Sequence, residues 1–452
     1  MALVFNNIII NKNSDKYKPF LFNLISGRRR LLNPQEFIHV CSMHEKQNIS
    51  YFTEGEMEPF NNLVDEKQFV TEEARANIEN QLVASGYFQT NTGFAEDFSF
   101  AIELTRSCNM KCSYCYAKSR IDNNTSMTKD HIDGIYEFFR AYADEQDKIL
   151  KTKHITITGG EPLINVETVE LINYIASIWH ETKLYLLTNG VNILKYYDRL
   201  PLNSIKEVQI SLDGVKDVHM SRRYSDSDVD YNIYDDIIAG IKKLLEAGVT
   251  VRAQTVYDKT SYLGCAELVK YLEEEGILQH PNFDHDYGMV IDFSNPLDLD
   301  TNYNDKYDMM KIWEYASETN TFPPPVLPSA TILYGALSRP KDEPFMPKHY
   351  RCECKKLSNC FFSCDGSVYV CDNITEGKGT IGTFYPSTSI DNDAVSKLLN
   401  RSVMQNDTCR KCAYKFVCLG GCIKSAEGQG TEMACGIFAD EELLDNLEYN
   451  FY

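Results

Sequence analysis

Cys108-Asn-Met-Lys-Cys112-Ser-Tyr-Cys115 follows directly on the apolar run Phe98-Ser-Phe-Ala-Ile-Glu-Leu104, so a strand empties into a loop that carries three cysteines. Three thiolates are one short of a closed four-ligand set. Structural zinc wants four protein ligands, whereas a tight loop can wrap three thiolates round a [4Fe-4S] cluster and leave one iron open for chemistry. The competing reading is a zinc knuckle or a group of spare buried thiols. Three later strand ends repeat the pattern: His154-Ile-Thr-Ile-Thr158 runs into Gly159-Gly160-Glu161-Pro162, Leu184-Tyr-Leu-Leu-Thr188 into Asn189-Gly190, and Val208-Gln-Ile-Ser211 into Leu212-Asp213-Gly214.

The cysteine spacing, with aromatic Tyr114 just before the last cysteine, resembles the signature of the radical S-adenosylmethionine (radical SAM) enzymes. In that family the open iron is chelated by the amino and carboxylate groups of SAM, and neighbouring strand ends hold the rest of the cofactor. Gly159-Gly160-Glu161-Pro162 looks like the family's GGEP motif. The resemblance implies that Gly159 and Gly160 let backbone approach the ligand and that Glu161 accepts from the SAM ammonium. It puts Thr188, Asn189 and Ser211 near the ribose and carboxylate of SAM. His219 and Arg223 stand at the spacing of the family's His-x-x-x-Arg, with a SAM contact and a plain packing role equally open.

Length and composition fit an enzyme of several domains. The chain has 452 residues, 43% of them hydrophobic, enough for a large core. Its 15 cysteines would suit a disulfide scaffold in a short secreted chain. However, Met1-Ala-Leu-Val-Phe-Asn-Asn-Ile-Ile-Ile10 has no basic n-region or cleavage site, and no apolar run approaches a membrane span. A reducing cytoplasm, with cysteines held for metal, is the expectation. A formal charge of −20 repels phosphate backbones and argues against nucleic acid as partner.

The middle third alternates strands and helices as a parallel α/β domain does. Thr128 is placed to cap a helix over Asp130 to Arg140 whose Ile132, Ile135, Phe138 and Phe139 share a face. Helices near Val166 to His180 and Ile233 to Ala247 precede strands at Lys183 to Leu187 and Val249 to Val256, and Asn282 to Asp292 reads as a last strand. The resemblance implies a partial (β/α)6 TIM-like barrel over 96–300, with the motifs at the carboxyl ends of its strands. A helix at Tyr307 to Glu318 and the proline-rich Phe322-Pro-Pro-Pro-Val-Leu-Pro328 then read as a connector, 301–350.

Past the connector come Cys352, Cys354, Cys360, Cys364, the hairpin Cys364-Asp-Gly366-Ser-Val-Tyr-Val-Cys371-Asp372, then Cys409-Arg-Lys-Cys412, Cys418, Cys422 and Cys435. Asp365-Gly366 is a strong turn signal. This order resembles the SPASM domain, here 351–452, a C-terminal extension of radical SAM enzymes with two auxiliary [4Fe-4S] clusters. The resemblance implies that Cys409, Cys412, Cys418 and Cys435 close one cluster, and that Cys371 and Cys422 join Cys354 and Cys360 on the other. Cys352 stands next in line as a ligand, while Cys364, Cys41 and Cys265 read as ordinary buried cysteines.

Before the barrel, Val4 to Ile10 and Phe20 to Ile25 read as paired strands, Asn33-Pro34 as the start of a helix to Met43, and Thr71 to Ser85 as a second helix ending at Gly86. Three strands with helices in winged-helix order look like the recognition element, 1–95, that binds a leader peptide as an added strand; a structural cap on the barrel is the alternative. The expected function is a radical SAM/SPASM peptide maturase of the thioether-forming sactipeptide or ranthipeptide type, reduced by an external donor such as flavodoxin or ferredoxin. A SAM-derived 5′-deoxyadenosyl radical would take a hydrogen from a precursor peptide, and the auxiliary clusters would accept the electron or position a substrate thiolate. The alternatives are a sulfatase-maturating, formylglycine-forming enzyme, in which the aspartate at the place of Asp372 acts as base, and a non-enzymatic zinc or iron-sulfur scaffold.

Overall fold

The computed structural model describes residues 97–146, 151–225, 233–290, 306–322, 359–373 and 379–435, apart from 123, 413 and 429. Before residue 97 it describes 2–5, 7–12, 15, 18–23, 29–43, 50–53, 69–71, 73, 76, 77, 80 and 81. Cys352, Cys354 and the proline-rich stretch after Phe322 lie outside the described residues.

The N-terminal segment divides the expected strand Val4 to Ile10 into β1 (Ala2–Phe5) and β2 (Asn7–Ile10). β2 pairs with β3 (Phe20–Asn23), which pairs with β4 (Arg29–Leu31), while β1 sits between β5 (Ser50–Thr53) and β6 (Phe69–Thr71). The described strands thus form two three-stranded sheets where the sequence suggested one. Helix α1 (Pro34–Met43) starts where Asn33-Pro34 predicts. Asn33 Oδ1 accepts from the Gln35 and Glu36 amides while Glu36 Oε2 accepts from the Asn33 amide, a reciprocal cap that satisfies donors the first helical turn leaves open.

A ten-stranded sheet forms the body, in the order β14-β13-β11-β10-β9-β7-β15-β16-β17-β18. β7 (Asp97–Glu103), β9 (Lys151–Thr158), β10 (Lys183–Thr188), β11 (Ile205–Ser211), β13 (Thr250–Tyr257) and β14 (Phe283–Met289) are all parallel, each beside its predecessor in the chain. Parallel strands that are sequential neighbours call for right-handed crossovers, which place the connecting helices on one side of the sheet, the arrangement of a partial (β/α)6 barrel. Helix α2 (Lys129–Gln146) buries Ile132, Ile135, Phe138 and Phe139 as the sequence pattern predicts. α3 (Val166–Ile178) and α4 (Ile233–Glu246) cover the next strands, and their apolar faces share one core with alternate strand residues such as Ile155, Leu186, Val208 and Val251. α5 (Lys306–Thr319) packs Ile312 and Ala316 on Tyr257, Cys265 and Phe322 in a second cluster.

The C-terminal region does not stand apart from this sheet. β15 (Asn359–Phe362) pairs parallel with β7, from Asn359 opposite Ser99 to Phe362 opposite Ile102, and β16 (Ser367–Tyr369), β17 (Thr380–Thr383) and β18 (Ser389–Ile390) continue antiparallel beyond it. The hairpin turns at Asp365-Gly366 as the sequence predicts, and Gly366 takes φ +87°, where a side chain is strained. The docking closes the β7 edge that an open barrel would otherwise expose. It also turns Cys360 and Phe362 into the helix-side core. Cys360, expected on an auxiliary cluster, lies there 1% exposed, and burial pushes its thiol pKa up. Cys364 is buried in the same core.

Candidate active site

All the motif loops open at the carboxyl ends of the parallel strands. β7 delivers the cysteine loop, which is pinned on its far side: β8 (Lys111–Cys112) pairs with β12 (Arg223–Tyr224), so that Cys112 lies opposite Arg223. The Ser113 amide also donates to the Arg222 carbonyl, and the Cys115 amide to that of Cys112.

Gly159 and Gly160 serve this loop directly. The Gly160 amide donates to the Thr105 carbonyl at 2.7 Å and the Glu161 amide to the Ser107 carbonyl at 2.9 Å. A Cβ on Gly159 would meet the Thr105 oxygen at 2.4 Å, and one on Gly160 the Ser107 oxygen at 2.3 Å. Within the protein, the close approach that the glycines permit is to the chain entering the cysteine loop. Glu161 is fully buried. Its Oε1 accepts from the Leu163 amide at 2.8 Å and the Thr188 hydroxyl at 2.6 Å, and its Oε2 from the Asn189 amide at 2.7 Å. Burial raises its pKa against the pull of these three donors. The carboxylate thus ties the GGEP turn to the Thr188-Asn189 turn. Asn189 in turn donates through Nδ2 to Asn109 Oδ1 at 2.7 Å, inside the cysteine loop. Pro162 is buried behind this turn, and Ser211 sits half-buried at the end of β11, paired with Gln254.

Asp213, two residues past β11, organises the other side. Its carboxylate accepts from the Tyr114 hydroxyl, from Arg223 Nε at 2.9 Å and from the Val256 amide at 3.2 Å. Both Arg222 and Arg223 lie over the Tyr114 ring, 4.7 and 5.3 Å from its centroid, and Arg222 Nη1 donates to Asp258 at 2.6 Å. A half-buried ring with two guanidinium groups over it fixes the loop through cation–π attraction as well as hydrogen bonds. Arg223 Nη1 reaches Cys112 Sγ at 3.5 Å. His219 is fully buried. Its Nδ1 accepts from the Asp213 amide, its ring packs on Tyr234, and burial followed by Arg223 lowers its pKa to about 4. Asp213, Arg222 and Asp258 escaped the sequence reading because nothing in the spacing of isolated charges says that a fold will gather them. The one available signal was Asp213 at the end of the third strand motif.

The chemistry of the donor set fits an iron-sulfur cluster. Burial pushes the Cys108 thiol up to about 12, with Glu161, Cys112 and Cys115 near enough for their charges to oppose its ionisation. Cys112 is raised by burial and by Cys115, against the pull of Arg223. Thiols that resist one another's ionisation are held as thiolates by a cationic centre. Cys108, Cys112 and Cys115 would hold such a cluster, which would supply the electron for reductive cleavage of SAM. Residues 102–260 match the family profile described as Radical SAM superfamily.

The chain carries a radical SAM domain.

Curated relatives match over the same region. The GTP 3′,8-cyclase of Clostridium perfringens (strain SM101 / Type A) is 32% identical over 161 residues, 34% of this chain and 45% of that protein. The probable GTP 3′,8-cyclase of Pyrococcus horikoshii is 28% identical over 158 residues, 35% of this chain and 46% of that protein. The chain spans just under half the length of these relatives. Among solved structures, Streptococcus suis SuiB bound to precursor peptide SuiA superposes with a TM-score of 0.54 at 16% identity, covering 98% of this chain and 100% of that one. Native anSMEcpe with bound AdoMet and Kp18Cys peptide superposes with a TM-score of 0.53 at 17% identity, over 77% of this chain and 96% of that one. At these identities the likeness is one of fold.

Outside the radical SAM domain, Cys409, Cys412, Cys418 and Cys435 gather at one corner. The Asn406 side chain caps the Cys409 amide, and the Cys412 amide donates back to the Cys409 carbonyl. The Cys409 thiol is raised by burial and then by the charges of Cys435 and Cys412, so the three are electrostatic neighbours. Cys418 Sγ lies 3.8 Å from the Ala434 carbonyl, beside Cys435. Arg401 draws this corner together by donating to the carbonyls of Gly420, Gly421 and Glu432, and a Cβ on Gly421 would meet the Ala434 oxygen at 1.9 Å. Cys371 follows the hairpin, with its sulfur 3.4 Å from both the Asn373 amide and Asp372 Oδ1, and Cys422 is half-buried after the glycine pair. Among the described residues no helix is long and apolar enough to cross a membrane.

Proposed function

We propose that this chain is a radical SAM maturase that modifies a ribosomally made precursor peptide, most directly by joining a substrate cysteine to another residue through a thioether. The observation that carries the reading is the seat of β15 on β7, because the strand that feeds the cysteine loop also anchors the hairpin that ends in Cys371-Asp372. A second cysteine-bearing region is thereby built against the radical SAM domain. The likeness to SuiB, whose structure holds precursor peptide SuiA, extends over 98% of this chain, whereas the cyclase relatives share only the central third. The reading assigns Cys108, Cys112 and Cys115 to the SAM-binding cluster, Cys409, Cys412, Cys418 and Cys435 to one auxiliary cluster, and Cys371 and Cys422 to the other. The residues before 97 would receive the leader peptide. An external donor such as flavodoxin or ferredoxin would supply electrons, in the cytoplasm.

The chain's own residues would prepare the site. Tyr114, Asp213 and Arg223 hold the cysteine loop at the barrel mouth, and Glu161 locks the two turns beneath it. Formylglycine formation is the second reading, favoured by Asp372 directly after Cys371 and by the likeness to anSMEcpe over 96% of that chain. The test is anaerobic reconstitution with iron, sulfide, SAM, dithionite and a cysteine-containing peptide encoded beside this gene. 5′-Deoxyadenosine together with a peptide that has lost a pair of hydrogens and its alkylatable thiol supports the thioether. A product that reacts with a carbonyl reagent supports formylglycine, and a colourless zinc protein that leaves SAM intact defeats both.

A further inference from the structure

We infer that Glu103 and Arg120 are positioning residues that set the Cys371-Asp372 end of the C-terminal hairpin against the cysteine loop; the functional consequence rests on the radical SAM reading above. Glu103 closes β7 with its side chain 4% exposed. One buried carboxylate there gathers both flanks of the cysteine loop and the hairpin. Arg106, two residues before Cys108, donates through Nε to Glu103 Oε2 at 3.4 Å, and Arg120, five residues after Cys115, donates through Nη1 to Oε1 at 2.9 Å. From the hairpin, the Ser363 hydroxyl donates to Oε2 at 2.6 Å and the Cys364 amide at 3.4 Å. Arg106 also reaches Ser363 and Asp365 through Nη2.

Arg120 completes the span. While Nη1 holds Glu103, its Nη2 donates to the Asp372 carbonyl at 3.3 Å, and its guanidinium lies 5.8 Å from the centroids of both Tyr116 and Phe361. A planar fork can hold two acceptors at a set angle, which the single ammonium of lysine cannot do. The pair is buried, so its worth in stability is small or negative, and a definite geometry is the gain such a pair offers. What it defines here is the separation between the cysteine loop and the residues flanking Cys371.

The test is Arg120→Lys in the full-length protein, which keeps the charge on Glu103 and gives up the reach to Asp372. Hydrogen–deuterium exchange of the amides at 367–373 is measured without substrate and is expected to quicken by about tenfold while the barrel strands keep parent rates. In the reconstituted enzyme, SAM cleavage without peptide is expected at the parent rate, and modified peptide per 5′-deoxyadenosine is expected to fall by about tenfold or more. A role in stability alone would lower both activities together and would leave that ratio unmoved. Parent exchange at 367–373, or a parent ratio, overturns the inference. If the parent protein cleaves no SAM, the radical reading fails and the exchange result alone decides the positioning role. Should R120K be insoluble, Ser363→Ala removes one hairpin donor to Glu103, and the same readouts are expected to shift in the same direction by about twofold to fivefold; no shift overturns the inference.

Discussion

Gly160→Ala is the sharpest test of how the cysteine loop is held. The new Cβ would lie 2.3 Å from the Ser107 oxygen, 2.7 Å from its carbonyl carbon and 2.9 Å from the Arg106 oxygen, all of them backbone atoms. Ordinary contact begins at 3.4 Å, so the chain on one side must retreat by about 1 Å. It is not free to do so. The Gly160 and Glu161 amides bond to the Thr105 and Ser107 carbonyls, and the Arg106 amide is tied from behind to the Thr125 carbonyl at 2.9 Å. Losing or stretching two backbone hydrogen bonds at about 1 kcal/mol each, with some overpacking strain, costs about 2–4 kcal/mol. Cys108 is the next residue after Ser107, so the displacement reaches the first ligand position. Iron retained after anaerobic desalting should fall, and 5′-deoxyadenosine formation should drop by about a hundredfold, since errors near 1 Å carry penalties of that size. Gly248→Ala is the control. Its φ of +77° imposes strain of about 1 kcal/mol, but no atom lies within 4 Å of the added carbon and the cofactor loops are remote in the chain. Urea unfolding of the apoproteins, iron content and 5′-deoxyadenosine yield read the comparison. Parent values of all three in G160A would refute the claim that the glycine pair shapes the cysteine loop.

Replacing Cys108, Cys112 and Cys115 together by alanine should abolish SAM cleavage and lower iron by about one of the three proposed clusters, leaving the rest of the visible absorbance; 5′-deoxyadenosine from this variant would mean that the active cluster lies elsewhere. Cys412→Ala or Cys418→Ala should spare SAM cleavage without peptide yet stop peptide modification, because both residues lie at the ends of short C-terminal helices, outside the radical SAM match at 102–260; a soluble, iron-depleted variant that turns peptide over at the parent rate contradicts that division. Deleting residues 1–90 should weaken leader-peptide binding more than it weakens SAM cleavage, as measured by fluorescence anisotropy with a labelled leader, and undiminished binding would reduce that segment to a cap and favour the formylglycine reading.

The sequence by itself determined the elements whose signals are local. The alternation of β and α, the apolar face of α2, the helix start at Asn33-Pro34, the Asp365-Gly366 turn and the cysteine loop can all be read from neighbours a few residues apart. Motif resemblance went further and brought Cys108, Gly160, Thr188 and Arg223 into one neighbourhood before any coordinates. What each of these residues touches within the protein was not legible. Glu161 spends its oxygens on Leu163, Thr188 and Asn189, and Gly159 and Gly160 make room for protein backbone; such roles depend on which strand lies alongside. The same holds for the gathering of Tyr114 with Asp213, 99 residues apart, and of Arg120 with Asp372, 252 residues apart. Only the tertiary structure decided that β15 docks on β7 and carries Cys360 into the core, because strand pairing is a choice among open edges made by the whole sheet. Local pattern sets what each segment can become, whereas long-range packing and the need to pair every buried charge set where it goes.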